Sequence, residues 1–224
     1  HCAGNHRHGT QDLEASFANS CNSSFANLSL TLNRKKFQNL CDSLLFNKNL
    51  PIAFESSKSS FSLSSSDTKA MVMETGIGQG KTLVSPLHMM LIASAIDNDG
   101  TLMTPYIVDH TQNAAGVEVE KNEPKEYATL LNEKEAQLMQ QYMRSVVTSG
   151  TGTKLAGQSY EASGKTGTAQ VSDSSDQTNA WFVGYAKKDG YPDLAIAVIV
   201  EDSGAGSTYA VPIAKKVFDV YFNK

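Results

Sequence analysis

The sequence has 224 residues and a mass of 24.1 kDa, with 19 Lys+Arg against 23 Asp+Glu and a formal net charge of −4. So mild an acidic balance gives no electrostatic footprint for nucleic acid. Hydrophobic residues make up 40% and charged residues 19%, against roughly 25% charged in an average domain, a globular composition that excludes collagen, coiled coil and wholesale disorder.

The opening His1-Cys2-Ala3-Gly4-Asn5 is polar and lacks an initiator Met, so no signal peptide is read there. The sequence is expected to be part of a longer chain, truncated at its N-terminus, with any membrane anchor outside it. The longest apolar run, around Met89 to Ala93, is far below the roughly 18 residues a bilayer span needs. Cys2, Cys21 and Cys41 are an odd number with no C-x-x-C pair. Free buried thiols are expected, not a disulfide framework or a zinc ribbon. His1, His6 and His8 stand in a polar terminus and read as bystanders, so no metal is expected.

In chain order, Thr10 predicts the cap of a short helix, with Asp12 and Glu14 in its first turn and Leu13 and Phe17 on one face. Residues 22–50 read as helix, then loop. Residues 56–66 hold eight serines in eleven positions and predict a flexible excursion that buries little. Ser85-Pro86 is a helix start, since Ser caps and Pro suits the first turn. The helix from Pro86 to about Asp97 is apolar on nearly every side and predicts a buried core helix that Asn98-Asp99-Gly100 stops. Residues 101–110 read as extended and 111–126 as a polar loop or hairpin. Asn132 and Glu135 form a capping-box pair. Met139, Tyr142, Met143, Val146 and Val147 follow at helical spacing, and Gly150 ends that helix. Segments 162–171, 180–187 and 194–201 predict strands, the last apolar enough to sit centrally in a sheet. Residues 210–222 predict a closing helix with Val211, Ala214, Val217, Phe218 and Tyr221 on one face. The pattern is α+β: a mostly helical part over 1–160, then antiparallel strands with a C-terminal packing helix over 161–224.

Two short strings carry chemistry. Ser163-Gly164-Lys165-Thr166-Gly167-Thr168-Ala169 puts an ammonium and two hydroxyls on a strand whose glycines let another chain approach closely. Such a strand accepts an extended peptide by edge pairing, and its Lys and Thr hydroxyls suit a carboxylate. Ser20-Cys21-Asn22 follows the first helix. A Ser hydroxyl there can relay a proton, and an Asn amide can hold a substrate amide and a neighbouring Lys. Each string alone is weak.

Taken together and in this order, they resemble the second and third motifs of the penicillin-binding protein transpeptidase domain, of the monofunctional class B kind. The resemblance covers nearly the whole chain. It takes in His6 to Phe25, Gly78-Gln79-Gly80 with Ser85-Pro86-Leu87 and Asn98-x-Gly100, Ala162 to Gln170, and Trp181-Phe182-Val183-Gly184-Tyr185. It implies a β-lactamase/transpeptidase-like fold. It implies a D,D-transpeptidase that crosslinks peptidoglycan stem peptides through an acyl-serine, binds β-lactam antibiotics, and works outside the cytoplasm on a membrane anchor. By position, Lys165 would anchor the ligand carboxylate, Thr166 and Thr168 would add hydroxyl bonds, and Gly167 would leave room. Ser20 would shuttle a proton and Asn22 would orient the acyl amide. Thr168 would also lie where the strand supplies one N–H of an oxyanion hole. No cofactor is implied.

The family's nucleophilic Ser-x-x-Lys is expected upstream of residue 1. The match Ser66-Asp67-Thr68-Lys69 lies downstream of Ser20 and reads as a decoy, because the chemistry needs a desolvated, preorganised Lys one turn from Ser. Gly76-Ile77-Gly78-Gln79-Gly80-Lys81-Thr82 is one residue short of a P-loop and has no strand before it. The chain supplies three of the five strands the family's sheet implies, so the strand at 194–201 is expected to expose an apolar edge that invites self-association. Rival readings are a serine β-lactamase or penicillin-sensor domain, which shares the motifs, and a non-catalytic peptidoglycan-binding module.

Overall fold

The computed structural model describes Cys2, residues 7–171 and residues 177–223; His1 and His6, grouped above with His8, lie outside the described residues. The fold is α+β. Three helices open it: α1 (Leu13–Ala18), α2 (Asn22–Thr31) and α3 (Arg34–Ser43). Asp12, not Thr10, caps α1, its carboxylate accepting from Ala15 N–H at 2.8 Å. A carboxylate at a helix start satisfies an orphan donor and meets the positive end of the helix dipole at once, so it outcompetes a hydroxyl two residues earlier. After a long loop come α4 (Lys69–Gly76) and α5 (Pro86–Asp97). Ser85 caps α5 through His88 N–H at 3.2 Å with Pro86 in the first turn. Leu91, Ala93, Ala95 and Ile96 of α5 are buried, as an all-round apolar helix requires.

Four short strands follow: β1 (Thr101–Met103), β2 (His110–Gln112), β3 (Glu118–Lys121) and β4 (Glu126–Thr129). β1 pairs with β4, and between them β2 and β3 form an exposed hairpin. Then α6 (Glu133–Thr148) opens with the predicted reciprocal cap between Asn132 and Glu135. The main sheet is antiparallel, in the order β5 (Glu161–Gln170), β6 (Thr178–Lys187), β7 (Leu194–Val200). α7 (Gly206–Phe222) closes the chain.

The sheet is covered on both faces, which is why β7 is apolar at every position. Phe182, Ala162 and Ala186 pack under α7 against Ala210, Val211, Ala214, Phe218 and Phe222. On the other face Val183 and Tyr185 meet Ala93 and Ile96 of α5 and Met143 of α6. Val217 leaves the predicted stripe and is 43% exposed. The buried row runs 210, 211, 214, 218, 222, and position 217 falls on its shoulder. Within the described residues no helix is long and apolar enough to cross a membrane.

The serine-rich loop departs most from expectation. Ser59, Phe61 and Leu63 are buried. The Phe61 ring lies 5.1 Å from Phe37 and 6.0 Å from Phe46. Asn47 clasps the Phe61 backbone, accepting from its N–H at 3.1 Å and donating to its carbonyl at 2.9 Å. Two apolar residues among eight serines suffice to strap the loop down, because each buried ring or Leu is worth roughly 1.5–3 kcal/mol.

The same loop ends in the Ser66–Lys69 match. Ser66 is exposed and its Oγ lies 2.9 Å from Ser64 Oγ. Thr68 caps α4, so Lys69 is merely that helix's first residue. Asp67 is buried, accepts from Ser64 N–H at 2.7 Å and pairs with Lys81 at 3.3 Å, while Arg34 donates to the carbonyls of Ser64, Ser65 and Asp67. This is an anchored turn without a desolvated Ser–Lys pair. Treated with penicillin, the protein is expected to show no adduct on Ser66 by peptide mass spectrometry; an adduct there would assign the nucleophile to this turn. The glycines that mimic a P-loop begin at the last residue of helix α4 and follow no strand, and their Lys81 is occupied by Asp67.

Candidate active site

Between α1 and α2 the chain reverses in three residues. Ser20 adopts φ +52°, a left-handed conformation uncommon outside Gly and Asn. That twist lets Ser20 N–H reach Phe17 O at 3.1 Å and Cys21 N–H reach Ser16 O at 2.9 Å. Asn22 is then the first residue of α2. Ser16 Oγ donates to Ser24 Oγ at 3.0 Å and stitches the two helices together. Ser20 and Asn22 are both half-buried.

β5 carries the second string. Alternation places Lys165 and Gly167 on one face of the strand, Thr166 and Thr168 on the other. Lys165 is half-buried; its Nζ donates to Thr166 O at 2.9 Å and stands 5.7 Å from the centre of the Phe17 ring. Burial holds its ammonium down to about 8 from an ordinary 10.5. Buried Thr166 shares a 2.5 Å hydroxyl contact with Thr151, and exposed Thr168 accepts from Gly206 N–H at 3.4 Å. Among the described residues β5 pairs with β6 alone, so its other edge carries no strand.

The helical corner and the strand therefore meet. Lys165 approaches the ring of Phe17, three residues before Ser20, and Thr151 closes the join from behind. Thr151 N–H donates to Ala18 O at 3.1 Å while its hydroxyl holds Thr166. Thr151 was not singled out from sequence, and of two glycines that permit the approach Gly206 was not singled out either, while Gly150 was read only as the end of a helix. A Cβ on Gly150 would fall 2.2 Å from Ala18 O, and one on Gly206 would fall 2.4 Å from Gly167 O. The run Thr148-Ser149-Gly150-Thr151-Gly152 was the available signal: small residues just past a helix mark a close backbone approach.

A second group was also missed. Cys2, His8 and Cys21 come together, the two sulfurs 3.5 Å apart. Burial raises the Cys2 thiol, but bonds from the Ser23 backbone and hydroxyl, Cys21 and His8 outweigh it and bring it down to about 6. Cys41, in an apolar cluster with Phe46 and Val72, is instead pushed up to about 12 by burial and by Asp42. All three cysteines are free and buried, as their number and spacing implied.

Residues 3–219 match the family model described as penicillin-binding protein transpeptidase domain. The chain is 32% identical over 170 residues to peptidoglycan D,D-transpeptidase MrdA of Haemophilus influenzae, a match covering 68% of this chain and 26% of that protein. It is 30% identical over 216 residues to penicillin-binding protein 3 of Bacillus subtilis, covering 92% of this chain and 31% of that one. The chain thus spans between a quarter and a third of these two relatives. In fold it is similar to the crystal structure of the D,D-transpeptidase domain of a peptidoglycan glycosyltransferase from Eggerthella lenta. That likeness has a TM-score of 0.82 at 25% identity and covers 96% of this chain and 55% of that chain. It is also similar to the imipenem acyl-enzyme complex of penicillin-binding protein A from Mycobacterium tuberculosis, at a TM-score of 0.79 and 22% identity over 95% of this chain and 48% of that chain. With the family model matching residues 3–219 and the fold shared, this chain belongs to the penicillin-binding protein transpeptidase domain family.

Proposed function

We propose that the chain is part of a D,D-transpeptidase that crosslinks peptidoglycan stem peptides outside the cytoplasm and is acylated by β-lactams. The observation that carries the reading is the convergence of Lys165 with the α1–α2 corner, within 5.7 Å of Phe17. Two strings far apart in sequence thus bring a lysine, hydroxyls and an amide onto neighbouring elements, beside a strand edge that carries no strand among the described residues. That set suits an extended peptide ending in a carboxylate.

In this reading the nucleophile is the serine of a Ser-x-x-Lys that is not among these residues. It attacks the penultimate carbonyl of the D-Ala-D-Ala stem, an acyl-serine forms, and terminal D-Ala leaves. The amine of a second stem then displaces the serine, so the crosslink forms without net redox change. Lys165 holds the carboxylate, with Thr166 and Thr168 as hydroxyl donors. Gly167 leaves the ligand room, and the Thr168 backbone contributes an oxyanion N–H. Ser20 passes a proton between nucleophile and leaving amine, and Asn22 aligns the acyl amide. A membrane anchor elsewhere in the full chain fits a substrate confined to the cell wall.

The test is labelling of the full-length protein by fluorescent penicillin. One adduct is expected, on a Ser-x-x-Lys serine, with labelling slowed at least about tenfold by Asn22→Ala, the loss of one hydrogen bond to a developing charge. A full-length protein that takes up no penicillin, or that turns over nitrocefin rapidly, would displace transpeptidase in favour of a binding module or a β-lactamase respectively.

We also propose that β7 self-associates when these 224 residues are made alone, because β7 pairs only with β6 among the described residues and all seven of its residues are apolar. An open apolar edge is a template for a second chain. Sedimentation is expected to show concentration-dependent dimers or larger species; a monomer at all concentrations would show the edge to be covered.

A further inference from the structure

Thr151 is fixed by its backbone before its side chain contributes anything. Gly150 N–H and Gly152 N–H both donate to Val146 O, at 3.1 and 2.9 Å, and Thr151 N–H donates to Ala18 O at 3.1 Å. Gly150 lies so close to α1 that a Cβ there would fall 2.2 Å from Ala18 O. The turn after α6 is therefore held against the end of α1 without help from the Thr151 hydroxyl. Among the described residues that hydroxyl has one hydrogen-bond partner, Thr166 Oγ1 at 2.5 Å. Thr166 is 8% exposed, and among the described residues its own hydroxyl has no partner besides Thr151.

A hydroxyl carries one proton, and a carboxylate only accepts. In the pair as it stands either oxygen can be the donor. Once Thr166 gives its proton to a ligand carboxylate, its oxygen can only accept from Thr151, so the contact must run from Thr151 to Thr166. Thr151 then fixes the Thr166 rotor with its proton turned toward the ligand. It also strengthens the donor, because a hydroxyl that accepts one hydrogen bond gives the next more strongly. We propose that Thr151 is a positioning residue for the carboxylate end of the ligand, acting through the Thr166 hydroxyl and not on the ligand itself. This deepens the transpeptidase reading and rests on it for the identity of the ligand.

Packing alone is the competing use of the same contact, since a buried hydroxyl needs a partner whether or not a ligand comes. The two uses move different constants. A group that orients a carboxylate donor acts on the encounter of penicillin and protein. It acts alike on the transition state that follows, so it leaves the limiting rate of acylation alone. A group that only packs moves stability and leaves the encounter alone.

Four full-length proteins test this: wild type, Thr151→Val, Thr166→Ala and the double variant. Valine keeps the shape of threonine and removes its hydroxyl. Acylation by fluorescent penicillin is followed over a range of concentrations, so that the encounter constant and the limiting rate separate. Thr151→Val is expected to weaken the encounter about 2- to 12-fold, the worth of one neutral hydrogen bond, with the limiting rate little changed. Thr151→Ser should restore it. In the Thr166→Ala background Thr151→Val should add nothing, since its route to the ligand is gone. Thr151→Ala, equally without a hydroxyl, carries the same comparison if valine is not tolerated. Ser145→Ala is the control for a loosened corner, because the Ser145 hydroxyl donates to Glu14 and ties α6 to α1 at another point; it should leave the encounter constant unchanged. The proposal is overturned by Thr151→Val acylating like wild type, by its slowing acylation as much without the Thr166 hydroxyl as with it, by Thr151→Ser performing no better than Thr151→Val, or by Ser145→Ala reproducing the effect. Urea denaturation of the same four proteins separates this failure from failure of the reading beneath it. A protein that takes up no penicillin yet loses stability non-additively at 151 and 166 has the pair and refutes the reading, and the ligand role of Thr151 with it. One that is acylated with the two positions additive refutes the pair alone.

Discussion

Replacing Lys165 by Ala is expected to slow acylation of the full-length protein by fluorescent penicillin about 10–150-fold. That range is what a charge-assisted hydrogen bond of about 1.5–3 kcal/mol amounts to in rate. The effect should be specific to ligands bearing a carboxylate: an ester of the same penicillin should lose little. The pH dependence follows from burial, which holds the free ammonium down to about 8. Only the charged form grips a carboxylate, so the wild-type rate should fall as pH rises through about 8, with the Lys165→Ala profile flat across that window. Stability moves the opposite way. Between about 8 and 10.5 the unfolded chain carries a proton on this lysine that the native state has released, so native stability contributed here rises with pH over that interval. Equal acylation rates for wild type and Lys165→Ala would remove the lysine from the site.

The largest loss of stability is expected from Phe218→Ala, about 3–5 kcal/mol by urea denaturation with little change in slope. Phe218 is wholly buried, with its ring 5.7 Å from Tyr160 and 6.4 Å from Phe222. Against a typical total of about 5–15 kcal/mol, that is from about a fifth to the whole of what holds the domain. The change should reach the groove as well. α7 begins at Gly206, whose backbone abuts Gly167 and donates to Thr168, so a loosened α7 frees the strand it braces. A loss below about 1 kcal/mol would mean that the aromatic cluster repacks around the hole.

Where local chemistry decides an element, the sequence announces it. Ser85-Pro86 and the Asn132–Glu135 pair begin α5 and α6 where their caps predict, and the three apolar or small-residue runs become β5, β6 and β7. The serine-rich loop misleads because composition counts residues, whereas burial depends on where two of them, Phe61 and Leu63, find partners, Phe37 and Phe46 among them, that local composition does not reveal. Family resemblance picks out Ser20, Asn22 and Lys165 by motif; nothing in spacing alone announces that Thr151 would stand between them, since its partners Ala18 and Thr166 come from elements on either side of it. His8 reads as one of a terminal histidine group until the fold delivers it to two cysteines.

On the proposed function, Ser20 bears two demands that oppose each other. Glycine would adopt its left-handed backbone without strain but has no oxygen; any residue with a branched or bulky side chain would meet the bend at a steeper penalty. A serine with φ +52° gives up roughly 1–2 kcal/mol of conformational energy to set a hydroxyl at the apex of a reversal. A Ser20→Gly exchange should therefore yield a sturdier domain with a poorer proton path, an instance in which thermal tolerance and turnover would be selected in different directions.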